Sequence, residues 1–298
     1  PTVSDLGVLP AYEAVAATGG LTGHVVGMVL VNARSGPEAL EVVESVRKRF
    51  ANVPNLRLSG IKILADGVSN APSRTAAISI PYRGTDSLGL LEIDPANFRK
   101  LATEADKRGL IIHVHAIGDR AVHEALEGIA AAPTANGNTG PLHSLTHIEF
   151  IQGADIARFA PLRMAAAMQM LWSGGEHEPE IDEALQPPYR ARALHDAGAL
   201  VSGASDWGVS SPNPFLAIAT AITREPQNER MPRELMLQAY TRNAAQVLGM
   251  ADRIGSIEPG KQADLTLVDR DVLAVADEQV GATQVRWTMF GGRMVYRA

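Results

Sequence analysis

A chain of 298 residues with 46% apolar and 20% charged side chains is long enough for one large α/β domain, with or without a small appendage. Its net charge of −6 argues against nucleic acid as a partner, and no apolar run approaches the roughly 18 residues that span a membrane. It has no cysteine, which excludes disulfides, thiolate ligands and a cysteine nucleophile, so a metal would have to be held by His, Asp, Glu or a modified Lys.

In chain order, HVVGMVLV (24–31) reads as a buried strand, and apolar positions at Leu40, Val43, Val46 and Phe50 give the next segment a helical spacing. RLSGIKILA (57–65) is the following strand and runs into a Gly/Ser/Pro-rich loop over 66–94, a length at which loops in compact domains carry function or motion. Asp94-Pro95 has the form of an N-cap with Pro at the first helical position, and the helix it opens should close at Gly109. LIIHVHA (110–116) is the next strand, and a helix from Asp119 to about 131 follows. Strands are expected at 142–150, 163–168 and 199–204, with a short helix at 153–159 and another around 188–196. Two further helices are expected over 214–223 and 232–248. Six β-then-α units imply a parallel sheet covered by helices, two units short of a closed (β/α)8 barrel. Beyond about residue 250 the pattern alternates apolar with polar or Gly residues, which marks a few antiparallel strands. The expected division is therefore 1–250 for the partial barrel and 251–298 for the small β element. The N-terminus lacks a basic region followed by an apolar core, so a cytoplasmic setting is expected.

Five polar residues stand at or near predicted strand ends: Lys62, His113, His115, His147 and Asp206. Any one of them alone has a packing explanation. Residues from successive strands, however, would converge on one rim of a barrel, where imidazole nitrogens and carboxylate oxygens suit Zn²⁺ or a similar ion. His113 and His115 share a strand face, and His115 lies one layer nearer the rim, leaving His113 as its support. Lys62 would lie some 13 Å below the rim if its strand ran to Asp66, at about 3.3 Å per residue. Asp66 competes as a ligand, or forms an Asx turn into Gly67. Asp119 is read as a helix N-cap behind the site rather than as a catalytic acid. Arg74, Tyr82 and Trp207 are candidates for shaping a substrate pocket, with loop anchoring or packing as the alternative. His24 and His143 stand at strand beginnings and His123 on a helix, and all three read as structural. His177 and His195 have the setting of surface residues.

The segments GIKILADGVSNAPSRTAAISIPY (60–82), HVHAIGDRAV (113–122), LTHIEFI (145–151), SGASDWGVSSPNP (202–214), YTRNAAQVLGM (240–250) and GSIEPGKQADLTLVD (255–269) resemble the amidohydrolase superfamily. Within it they are similar to the YtcJ-like branch that includes N-substituted formamide deformylases. The resemblance implies a (β/α)8 barrel with one or two divalent metals, zinc foremost. It matches His115 and His147 to metal ligands of the fifth and sixth barrel strands, and Asp206 to the aspartate of the eighth. Lys62 matches a lysine that is carboxylated and bridges two ions in two-metal members. The reaction implied is hydrolysis of a non-peptide C–N bond in a small amide, Asp206 acting as base and then acid. The alternatives are a non-catalytic homologue and a lyase or isomerase on the same barrel. The family's His-x-His of the first barrel strand has no counterpart, so the resemblance implies a longer protein, at most part of a metal site here, and edge strands that favour self-association.

Overall fold

Apolar runs bounded by turn residues become the strands of a parallel sheet in the computed structural model, which describes residues 2–3, 7–175 and 180–298. The elements are β1 (Thr2–Val3), α1 (Val8–Ala17), β2 (Val25–Leu30), α2 (Leu40–Arg49), β3 (Leu56–Leu64), α3 (Pro95–Lys107), β4 (Ile111–Ala116), α4 (Asp119–Asn136), β5 (His143–His147), α5 (Gly153–Ile156) and β6 (Met164–Met168). They continue with α6 (Ala191–Asp196), β7 (Leu200–Gly203), α7 (Pro214–Thr223), α8 (Arg233–Ala239), α9 (Arg242–Val247), β8 (Leu265–Val268), α10 (Asp277–Val280), β9 (Val285–Phe290) and β10 (Arg293–Arg297).

The first sheet holds β1 to β7 in unbroken chain order, every neighbouring pair parallel. Each crossover therefore moves one strand along in the same direction, the winding of a barrel wall. The sheet has seven strands where the sequence pattern predicts six, because the two-residue β1 pairs with β2 at Thr2 and Val3. Two residues carry no readable periodicity. Among the described residues β7 and β1 are not paired with each other, so the sheet is open there. The C-terminal strands form a separate antiparallel sheet in the order β10-β9-β8, as the alternating pattern predicts.

The main core lies between sheet and helices, and α3 and α4 contribute Phe98, Leu101, Val122, Leu126 and Ile129 to it, each at most 1% exposed. The start of α3 follows its sequence signal: Pro95 sits in the first turn and the Asp94 side chain accepts from Asn97 N at 2.8 Å. The helix predicted over 232–248 is two, because Thr241, at φ −125° and ψ −93°, leaves the helical region between α8 and α9. The two sheets are tied by His24, whose Nε2 lies 2.8 Å from Asp264 Oδ2 and whose ring meets Phe290 edge-on, a structural role as the sequence implied. His143 is likewise structural: its Nδ1 accepts from Ile112 N at 3.1 Å and its Nε2 lies 3.2 Å from Asp106 Oδ1. His177 lies outside the described residues.

Candidate metal centre

The register of the sheet sets the layers of the site. Lys62 pairs with His113 and His113 with Ser144, while Leu64 pairs with His115 and His115 with Thr146. Lys62 and His113 therefore share one layer, and His115 lies in the next, toward the C-terminal ends of the strands. The depth expected for Lys62 is corrected by the end of β3, which stops at Leu64 and leaves the lysine two residues from the end instead of four before Asp66. Lys62, His113, Ser144, Thr146, His147, Gln169, Ser205, Asp206 and Trp207 line one cavity of about 470 Å³, together with apolar residues that include Met28 and Leu248.

His147 reaches this cavity by a backbone feature that periodicity does not reveal. It follows Thr146 by one residue, so strict alternation would send it to the opposite face. Its φ of +74°, followed by +49° at Ile148, takes the chain out of extended geometry at the strand end. The ring then stands 4.5 Å from that of His115 and stacks on Trp172 at 5.4 Å and 4°. Asp206 also has a left-handed φ, +52°. Non-glycine residues rarely adopt this conformation, and such strain gathers at functional sites.

Burial keeps the His113 and His147 imidazoles neutral, holding both well below the usual histidine value, with neighbouring charges on Lys62 and the other rings adding to the effect. The same desolvation brings the Lys62 ammonium down to about 7, opposed by the carboxylate of Asp206. His113 also places Nδ1 2.7 Å from Ser144 Oγ, and His115 places Nε2 2.8 Å from Gly67 O.

Asp66 is not free to act as the competing ligand. Its buried carboxylate accepts from Ala77 N, Ile117 N and Gly118 N at 2.9, 3.0 and 2.8 Å, and His115 Nε2 stands 3.4 Å away. It binds the long loop to the corner between β4 and α4, and so positions His115 instead of forming a local Asx turn. Asp119 departs from the expected cap in a similar way. The N-cap of α4 is Gly118, and the Asp119 carboxylate accepts from Ser79 N at 2.9 Å, from Ser79 Oγ and from Gln152 Nε2 at 2.8 Å. The loop lies so close that a Cβ on Gly118 would come within 1.9 Å of Ala77 O.

Two of the pocket candidates are placed elsewhere. Arg74 pairs with Glu180 through both Nε and Nη2, and Tyr82 is fully buried against Ile78, Phe150, Ile181 and Leu185, its hydroxyl donating to Ala76 O at 3.0 Å. Both serve the loop, the alternative the sequence left open. Trp207 does stand on the cavity, 80% exposed. Gln169 and Trp172 are site residues that sequence reasoning missed. The one available signal was a polar residue between two methionines at the end of an apolar strand.

The donor set meets part of what a divalent cation needs. His115 and His147 stand side by side, and Nδ1 of His147 is buried without a hydrogen-bond partner. Among the described residues no group of three His, Cys, Asp or Glu side chains comes together. The residues thus fit part of a nitrogen and oxygen coordination sphere.

Comparisons with known proteins bear on the family and the fold. A family profile described as "Amidohydrolase family" matches residues 2–296. The chain is 29% identical over 255 residues to "Protein LONG AFTER FAR-RED 3" of Arabidopsis thaliana, covering 81% of this chain and 43% of that one. It is 26% identical over 274 residues to "Putative amidohydrolase YtcJ" of Bacillus subtilis (strain 168), covering 87% and 50%. It is 29% identical over 255 residues to "N-substituted formamide deformylase" of Arthrobacter pascens, covering 81% and 46%. The chain thus spans about half the length of the curated relatives it matches. In fold it is similar to a crystal structure titled an uncharacterized metal-dependent hydrolase from Pyrococcus horikoshii OT3, with a TM-score of 0.78 at 24% identity, covering 93% of this chain and 56% of that one.

Proposed function

The chain belongs to the amidohydrolase family, and from that premise we propose that the protein is a metal-dependent hydrolase of a non-peptide C–N bond in a small amide or formamide. The observation that carries this reading is the convergence of Lys62, His147 and Asp206 on one cavity, with His115 packed against His147. A relative named N-substituted formamide deformylase supports the bond type.

His147, its imidazole kept neutral by burial, and His115 beside it would hold the cation, with Asp206 and Lys62 on the cavity that His147 lines. When bound, the cation, with zinc the best match for these donors, supplies Lewis acidity and a water whose pKa falls from 15.7 toward about 7. Asp206 accepts the proton of the attacking water as the C–O bond forms. It then returns that proton to the nitrogen as the C–N bond breaks, so the products are an acid and an amine. Lys62, its amine brought down to about 7 by burial, is the residue suited to carboxylation. Trp207 offers the substrate an exposed aromatic face at the mouth.

The test is release of free amine from a panel of N-formyl and N-acyl amines by the full-length protein charged with zinc. Turnover that a chelator abolishes and zinc restores is expected. Full zinc loading without turnover across the panel would sink the hydrolase reading in favour of a non-catalytic member of the family.

A further inference from the structure

Gln169 follows β6 and is 2% exposed, flanked by Met168 and Met170, both fully buried. A carboxamide in such surroundings needs partners for its donors and its acceptor. One end has a partner: Nε2 lies 3.0 Å from Thr146 Oγ1. The orientation of the amide follows from the hydroxyl. Thr146 has a single proton and gives it to Ala167 O at 2.9 Å, so toward Gln169 it can only accept. The NH₂ group therefore faces Thr146, and Oε1 must lie on the other side.

Oε1 of Gln169 is buried without a hydrogen-bond partner, and so is Nδ1 of His147, the residue next to Thr146 on the chain. Both side chains line the same cavity. A neutral ring has one proton to place. On Nδ1 it gives the cavity a donor that Gln169 Oε1 can take; on Nε2 it leaves two buried acceptors on the same cavity, each without a donor.

We propose that Gln169 is a positioning residue for His147: it holds the ring proton on Nδ1 and leaves the Nε2 lone pair for a cation. The chain Ala167 O, Thr146 Oγ1, Gln169, His147 then runs from a β6 carbonyl to the site, each member fixing the direction of the next. The assignment of Nε2 as ligand atom rests on the metal reading of His147, whereas the tautomer itself does not.

The experiment is two-bond ¹H–¹⁵N correlation NMR on the histidine rings of the metal-free, full-length protein, combined with zinc titration. The variants are Gln169→Met, which removes the acceptor at similar length, and Gln169→Glu, which keeps it. The wild type should show Nδ1 protonated and Nε2 bare at His147. Gln169→Met should give a mixture of tautomers and weaken zinc binding about 10- to 100-fold, the range for lost outer partners of ligating histidines. Gln169→Glu keeps an acceptor for His147 and should keep the Nδ1 tautomer, although it loses the N–H that Gln169 gives Thr146 Oγ1. A wild-type His147 protonated on Nε2 would overturn the proposal, and so would a Gln169→Met protein with wild-type spectrum and affinity. Should Gln169→Met fail to fold, the wild-type and Gln169→Glu spectra decide the tautomer. A wild type that binds no zinc but carries the Nδ1 proton would keep the proposed orientation and overturn the metal reading alone.

Discussion

Replacing Asp66 should damage the site while leaving His115, His147, Lys62 and Asp206 unchanged. Its buried carboxylate takes three backbone N–H groups from two segments of chain, Ala77 in the long loop and Ile117 and Gly118 at the corner after β4. Hydrogen bonds to a charged group contribute about 1.5–3 kcal/mol each, so Asp66→Ala should cost roughly 5 kcal/mol or more, comparable to the whole stability of many domains. Asp66→Asn is the more informative change. Oδ2 receives Ala77 N and Gly118 N while Oδ1 receives Ile117 N, so an amide oxygen in the Oδ2 position keeps two bonds and turns its NH₂ toward a third donor. One lost bond and one donor–donor conflict come to about 2–4 kcal/mol. Urea denaturation should show a lowered midpoint at unchanged slope, and limited proteolysis should cut within residues 66–94 before anywhere else. An Asp66→Asn protein with wild-type midpoint and wild-type protease resistance would refute the claim that this carboxylate fastens the loop.

Lys62→Met should stabilise the metal-free protein in acid. The buried amine titrates near 7 in the native state against 10.5 unfolded, so below about pH 7 both states are charged and the full burial cost is present. Between about 7 and 10.5 the unfolded state binds more protons and wild-type stability rises with pH, so the variant's gain of about 5 kcal/mol at pH 6 should shrink toward zero by pH 10.5, as read by urea titrations across that range. A gain that grows with pH would contradict the assignment. Gly203→Ala places a methyl 2.4–2.6 Å from three ring atoms of Tyr240 and should cost about 1–3 kcal/mol in a thermal melt, the usual price of overpacking. Asp206→Asn should lower kcat by about 10²–10⁴ in the amine-release assay while leaving the melting temperature near wild type, since the side chain is exposed.

The alternating order of strands and helices was legible because Gly, Pro and Asp punctuate apolar runs long enough to show a period. The Asp94-Pro95 start of α3 is the clearest case. The two-residue β1 and the break at Thr241 were not legible, one being too short for a period and the other a change of dihedral within a sequence that continues its helical pattern. At the site, motif and strand position found Lys62, His113, His147 and Asp206 on the cavity and His115 beside it. They did not show that φ at His147 brings its ring against His115, since a single dihedral has no trace in spacing. Asp119 and Asp66 were misjudged for a shared reason. Their short side chains could satisfy local backbone, but the loop over 66–94 folds back and supplies donors at Ser79, forty residues from Asp119, and at Ala77, eleven from Asp66. Arg74 and Tyr82 were drawn away from the cavity by partners on or near the same loop, Glu180 and Ala76.

Zinc titration by calorimetry of the full-length wild type beside His115→Ala and His147→Ala tests the central claim most directly, because it asks whether the paired imidazoles hold a cation. The account predicts saturable binding in the wild type and a loss of at least about 100-fold in each variant, beyond the effect expected of an outer partner. A wild type that takes up no divalent cation, or alanine variants that bind zinc as tightly as it does, would contradict it.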